Sequence, residues 1–163
     1  MNMPRRSEET DGYEAFLENV GLINIGLKSC TVSLDRTGLF NAMALKEKAR
    51  RVVNDKYRVT ETGKGFFELA GSFSVTISKS GEAPPPLSIE CEFEARFHAK
   101  SPVTNAFVER FAASDFQIVI VPYARQFIWS ITAQMSIPPV VIPLSTKAKG
   151  SSDRKSVIKE VAK

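Results

Sequence analysis

The chain has one histidine, two cysteines and one tryptophan in 163 residues. A single histidine excludes His-rich metal sites and leaves one imidazole as the base of any Ser-His-Asp or Cys-His mechanism. That residue, His98, follows Glu90, Glu92, Glu94 and Arg96 at alternate positions, which reads as the wet face of a strand. Cys91 lies on the opposite face, about 20 Å away along a strand at ~3.3 Å per residue, so the two do not pair within it. Cys30 and Cys91 are too few for a disulfide scaffold, and each sits in an alternating apolar pattern as a buried free thiol would. Gly63-Lys64-Gly65 lacks the spacing of a phosphate loop and reads as a turn. No apolar run approaches the roughly 20 residues of a membrane-spanning helix. The most apolar stretch, 116–129, is interrupted by Gln117, Pro122, Arg125 and Gln126. No apolar region follows Arg5 and Arg6, and residue 2 is Asn, so neither a secretory signal nor a lipid anchor is expected. These absences point to a cytoplasmic binding protein without cofactor, metal, catalytic residues or membrane insertion.

What is present is ordinary for one globular domain: 43% hydrophobic and 25% charged residues. The net charge of +4 is not spread over it. Residues 145–163 carry six Lys or Arg against Asp153 and Glu160, and the rest of the chain balances. This divides the chain into a disordered lead (1–15), a folded domain (16–145) and a basic tail (146–163). The tail has no aromatic residue for stacking on bases, so a solubilising terminus is favoured over a nucleic-acid contact. A nucleic-acid or assembly module acting through this tail is the alternative function. Val157, Ile158 and Val161 suit one face of a short terminal helix.

Residues 22–35 predict a strand whose apolar phase flips between Ile23, Ile25, Leu27 and Cys30, Val32, Leu34. A one-residue slip in a period of two predicts a β-bulge near Lys28-Ser29. A helix is predicted over 39–54 and strands over 56–80. Residues 87–99 have the cleanest alternation. Ile89, Cys91, Phe93, Ala95, Phe97 and Ala99 face one way, and Glu90, Glu92 and Glu94 stack carboxylates on the other. That stack reads as a solvated face or as an acidic docking patch for a basic partner. A short helix is predicted over 102–113, then a capping box at Ser114-Asp115-Phe116-Gln117.

Residues 116–135 leave two readings: one helix containing Pro122, or a β-branched strand followed by a helix starting at Pro122. As one helix, it carries Phe116, Ile120, Tyr123, Phe127 and Ile131 on one side and Ile118, Val121, Ile128 and Met135 on another. Two apolar sides require two covers, and one small sheet supplies only one, so a second subunit is expected against this helix. The proline-rich, apolar segment 136–144 either packs into the core or lines a binding surface.

Val121-Pro122-Tyr123-Ala124-Arg125 resembles the apolar-Pro-Tyr-Ala-Arg segment of the SecB family of export chaperones. Its apolar flanks, the proline-rich loop after it and Cys91-Glu92-Phe93 in a strand are similar too, so the likeness spans residues 20–145. The resemblance implies an α+β fold, with a twisted four-stranded antiparallel sheet and helices packed on one face. It also implies a single helix across Pro122, at the centre of a dimer of dimers. The implied self-interface is Phe116, Ile120, Tyr123, Ile128 and Ile131. The implied activity is holding unfolded client polypeptides without ATP, in an apolar groove of Phe127, Met135, Ile137, Val140, Val141 and Ile142. Glu92, flanked by Glu90 and Glu94, matches the family's acidic face for the SecA motor. The basic tail, and Ser145-Thr146-Lys147 in place of an Asn-Phe-like segment, depart from the family where SecA docks. Protection of an antitoxin is the other role that the resemblance implies.

Overall fold

The computed structural model describes residues 6–44, 50–78, 84–100, 102–142 and 156–158. Helix α1 (Arg6–Glu18) leads into strand β1 (Val20–Leu34) and helix α2 (Arg36–Ala44). Strands β2 (Arg50–Gly63), β3 (Phe66–Ser78) and β4 (Leu87–Ala99) follow, then helices α3 (Asn105–Ala113) and α4 (Phe116–Gln134) and a short strand β5 (Ser156–Ile158). The sheet is antiparallel throughout, in the order β1-β4-β3-β2-β5. Its body is the four long strands, and β5 adds three residues beside β2. The architecture is the expected α+β one.

Strict alternation in β4 sorts the two sides. Ile89, Cys91, Phe93, Ala95, Phe97 and Ala99 are all buried, and the glutamates and His98 between them face outward. Register carries the same inward face onto β3 through Phe67, Leu69, Phe73 and Val75. The helices close over it with aromatic rings. Phe16 of α1 lies 5.8 Å from Phe67, and Phe111 of α3 lies 5.1 Å from Phe97. From α4, Phe116 lies 6.0 Å from Phe97, and Phe127 lies 5.6 Å from Phe93. Such edge and offset pairs add about 0.5–1.5 kcal/mol each beyond their burial. Gly71 lets α4 come close, because a Cβ built there meets Ile120 Cγ1 at 3.2 Å.

Four local expectations are corrected. The lead expected to be disordered over 1–15 is helical from Arg6. Tyr13 and Phe16, one turn apart, are buried, and the Tyr13 hydroxyl donates to Asp115 Oδ2 at 2.6 Å, so tertiary contacts hold a polar helix. The helix expected over 39–54 ends at Ala44. Residues 50–54 belong to β2, where pairing with 74–78 overrides their local pattern, and 45–49 lie outside the described residues. The capping box does not form. Ser114 and Asp115 follow α3 so closely that their N–H groups bond to the carbonyls of Arg110 and Phe111, and the Ser114 hydroxyl donates to Arg110 O at 2.8 Å. Of the basic tail, only 156–158 is described, and it is strand rather than helix. Val161 and the other tail residues lie outside the described residues.

Candidate functional site

Residues 116–134 form one helix through Pro122. Proline removes the N–H that would bond to Ile118 O. Both residues are exposed, so that carbonyl lies on the wet side of α4. The opposite side is the core face: Phe116, Ile120, Val121, Ala124, Ile128 and Thr132 are buried. This redistributes the expected self-interface. Phe116, Ile120 and Ile128 are spent on the chain's own core, Ile131 is half-buried, and Tyr123 alone of the five is exposed. The second apolar side of α4 exists: of its expected members Ile118 is exposed and Met135 half-buried, while Val121 and Ile128 are buried. Ile118 is 75% exposed and Trp129 45%, with Tyr123 at 47% and Val119 half-buried near them on the outer arc of the helix.

After α4 the chain reverses at Ser136, whose φ of 56° lies in the left-handed region. The returning segment is tied to the helix by one buried hydroxyl. Thr132 Oγ1 donates to Ile128 O at 2.8 Å and accepts from the Val140 N–H at 3.2 Å, while the Ile137 N–H bonds to Thr132 O at 3.3 Å. Thr132 reads as an unremarkable helix residue in sequence, and its role needs the return of a segment eight positions later. The reversal divides the six expected groove residues. Val140 and Ile142 are buried in the core, which removes them from any accessible groove in this chain. Phe127, Met135 and Ile137 are half-buried at its margin, and Val141 is exposed between the two buried residues.

A third apolar surface, not singled out as a site in the sequence, runs along β1. Among the described residues this strand is the sheet edge, paired on one side only, to β4. Register interruptions between Leu22 and Asn24 and between Leu27 and Ser29 leave Ile23 and Lys28 outside the ladder. The second is the expected bulge. Leu22, Ile25 and Leu27 pair with Phe97, Ala95 and Phe93 and so share their inward face. Helical cover thins out at this edge: Leu27 is 44% exposed and Ile23 53%. Leu27 opposite Phe93, with Phe127 packed on Phe93, places apolar side chains of β1, β4 and α4 in one row.

On the outward face the carboxylates of Glu92 and Glu94 are paired within the chain. Lys28, extruded by the bulge, places Nζ 3.2 Å from Glu92 and 2.5 Å from Glu94. Arg58 of β2 grips Glu92 with two 2.9 Å bonds, and the Ser72 hydroxyl of β3 donates to it at 3.2 Å. Arg96 pairs with Glu68. A polar row thus crosses all four long strands, and its carboxylates are matched by cations that the alternation of β4 alone could not reveal. Hydrogen bonds from Arg58 and then Lys28 hold the Glu92 carboxyl at about 2, far below its ordinary range. Of the three glutamates, Glu92 and Glu94 are engaged within the chain, which weakens the reading of this face as a dock for a basic partner. Among the described residues no group of three or more His, Cys, Asp or Glu is placed to hold a metal ion. No helix among them is long and apolar enough to cross a membrane.

No protein-family model matches the chain, and no curated protein matches it. Solved structures do. The Mycobacterium tuberculosis Rv1957 SecB-like chaperone, in complex with a ChAD peptide from the Rv1956 HigA1 antitoxin, superposes with a TM-score of 0.63 at 15% identity, over 86% of this chain and 99% of that one. A protein of unknown function from Streptococcus agalactiae aligns at a TM-score of 0.46 and 8% identity, over 76% of this chain and 96% of that one. At such identity the first likeness concerns the backbone: the four-stranded antiparallel sheet with helices on one face is a SecB-like fold.

Proposed function

We propose that the protein is a cytoplasmic, ATP-independent holdase that binds non-native polypeptides through apolar surfaces and assembles as a dimer of dimers. The observation that carries this reading is the amount of large apolar side chain left outside a complete core, on two separate surfaces of a SecB-like fold. These are the outer side of α4 (Ile118, Tyr123, Trp129) and the β1 edge (Leu22, Ile23, Leu27). A dimer of dimers requires two distinct self-complementary surfaces, and the chain has two candidates of suitable chemistry. An edge strand with open backbone groups also invites pairing with another strand.

Clients in this reading contact Phe127, Met135, Ile137 and Val141, beside the row formed by Leu27 and Phe93. Burial of apolar area at roughly 25 cal/mol per Å² does not depend on client sequence, which suits a holdase. Between the two partner roles, the pairing of Glu92 and Glu94 with Lys28 and Arg58 disfavours SecA. An antitoxin segment is favoured, by analogy with the peptide that the mycobacterial protein holds.

The test combines mass and activity. Light scattering is expected to give a mass near four chains of 18.0 kDa. The protein is expected to suppress aggregation of an unrelated unfolding protein without nucleotide. A monomer that leaves aggregation unchanged at several-fold excess would overturn the reading.

A further inference from the structure

The two cysteines, 61 positions apart in sequence, are brought into direct opposition by the sheet: Cys30 of β1 pairs with Cys91 of β4. We propose that Cys30 and Cys91 form an oxidisable cross-strand thiol pair, a disulfide site that staples the edge strand β1 to β4. The inference rests on register and stands apart from the chaperone reading.

Residues directly opposite in an antiparallel pair have Cα atoms about 4.5–5.5 Å apart and Cβ atoms about 4.5–5.5 Å apart on the same face. A disulfide takes Cα separations of about 4.4–6.8 Å and Cβ separations of about 3.5–4.5 Å. A small strand adjustment closes that difference, and β1 can supply it because among the described residues of one chain it pairs only with β4. The bulge at Lys28 decides the pairing. Were Lys28 paired in regular alternation instead of bulged out, Cys30 would fall opposite Glu90 on the outward face, away from Cys91. Both thiols are free in this structure, Cys91 buried and Cys30 only half-buried.

That difference in access orders the chemistry. Burial pushes the Cys91 thiol up to about 12, which makes it a poor initiator, and raises Cys30 as well. With a low-molecular-weight disulfide as oxidant, the Cys30 thiolate attacks one of its sulfurs. The S–S bond breaks and one thiolate leaves, giving a mixed disulfide on Cys30. The Cys91 thiolate then attacks the Cys30 sulfur and displaces the second thiolate. The two cysteine protons end on the two released thiols. The protein loses two electrons and the oxidant gains them. In a reducing compartment the pair stays as thiols and closes under oxidative conditions.

The experiment uses the full chain in its native assembly, incubated with oxidised glutathione, alkylated and mapped by mass spectrometry. The expected product is an intramolecular Cys30–Cys91 crosslink, lighter by two hydrogen atoms. Backbone hydrogen exchange over residues 29–34 is expected to slow on the order of tenfold on oxidation, and to recover on reduction. Cys91→Ser should trap a glutathione adduct on Cys30, and Cys30→Ser should form no crosslink. Should Cys91→Ser fail to fold, the wild-type crosslink and exchange decide the matter. Two alkylatable thiols surviving treatment, an unresolved adduct in the wild type, a crosslink between chains, or closure only in denaturant would each overturn the proposal.

Discussion

Replacing Thr132 with valine keeps the side-chain shape and removes one hydroxyl. That hydroxyl accepts the Val140 N–H at 3.2 Å, at a residue with 1% of its surface exposed. Valine leaves the amide buried without an acceptor, which costs about 1–3 kcal/mol. The lost bond from Thr132 to Ile128 O matters less, because that carbonyl belongs to an intact helix. Taking about 2 kcal/mol and a urea slope of about 2 kcal/mol per M for a domain of this size, the unfolding midpoint of Thr132→Val should fall by about 1 M. The comparison is made at fixed protein concentration, since assembly adds to apparent stability. Thr132→Ser is the control. It loses a buried methyl, about 1 kcal/mol, and keeps the acceptor. Hydrogen exchange at Val140 separates the causes: the amide should exchange faster in Thr132→Val and stay protected in Thr132→Ser. A Thr132→Val protein with the wild-type midpoint and a protected Val140 amide would refute the reasoning. The same variant should loosen the segment that carries Ile137 and Val141, linking a stability change to the proposed client surface.

Trp129→Asp places a charge on the outer side of α4 without touching the core, and is expected to lower the assembly mass by half while preserving the circular dichroism spectrum. Gly71→Val is expected to destabilise the fold by about 1–3 kcal/mol, read by denaturant melt, because the new side chain meets Ile120 and Phe73. For Glu92 the folded-state value of about 2 lies below the ordinary 4.5. Its pairing therefore contributes stability above pH 4.5 that is lost as the pH falls towards 2. Glu92→Gln should be less stable than wild type at neutral pH, with the gap closing across that window; a gap that does not change between pH 7 and 2 would contradict the assignment. Added salt should narrow the same gap, since Lys28 and Arg58 are exposed to screening ions.

Much of the fold is legible in the chain. The alternation over 87–99 defines β4 and its buried face, and the phase slip before Cys30 announces the bulge at Lys28, because a period of two records any one-residue slip. The turn at Gly63-Lys64-Gly65 also stands where its glycines place it, with Gly65 at a φ of 78°. Other features are not local. A polar lead becomes α1 because Tyr13 and Phe16 find rings to pack on. Residues 50–54 are strand because β3 lies alongside them. For the candidate surface, helical periodicity shows that α4 has two apolar sides, but not which one faces the sheet. Tyr123 is sorted with Phe116 and Ile120 by spacing and is exposed in the fold.

The sequence by itself determined the elements whose hydrophobic period is unambiguous, the neutral body, and an apolar surplus in α4 too large for one small sheet to cover. Only the tertiary structure decided which apolar residues are consumed by the core and which are left over. Val140 and Ile142 go inside while Ile118, Trp129 and Leu27 stay out. It also decided that the carboxylates of Glu92 and Glu94 meet Lys28 and Arg58, and that Cys30 meets Cys91. The physical reason is common to all three. Burial, ion pairing and thiol proximity depend on strand register and helix placement across distant segments, and a local pattern carries no record of which distant partner arrives.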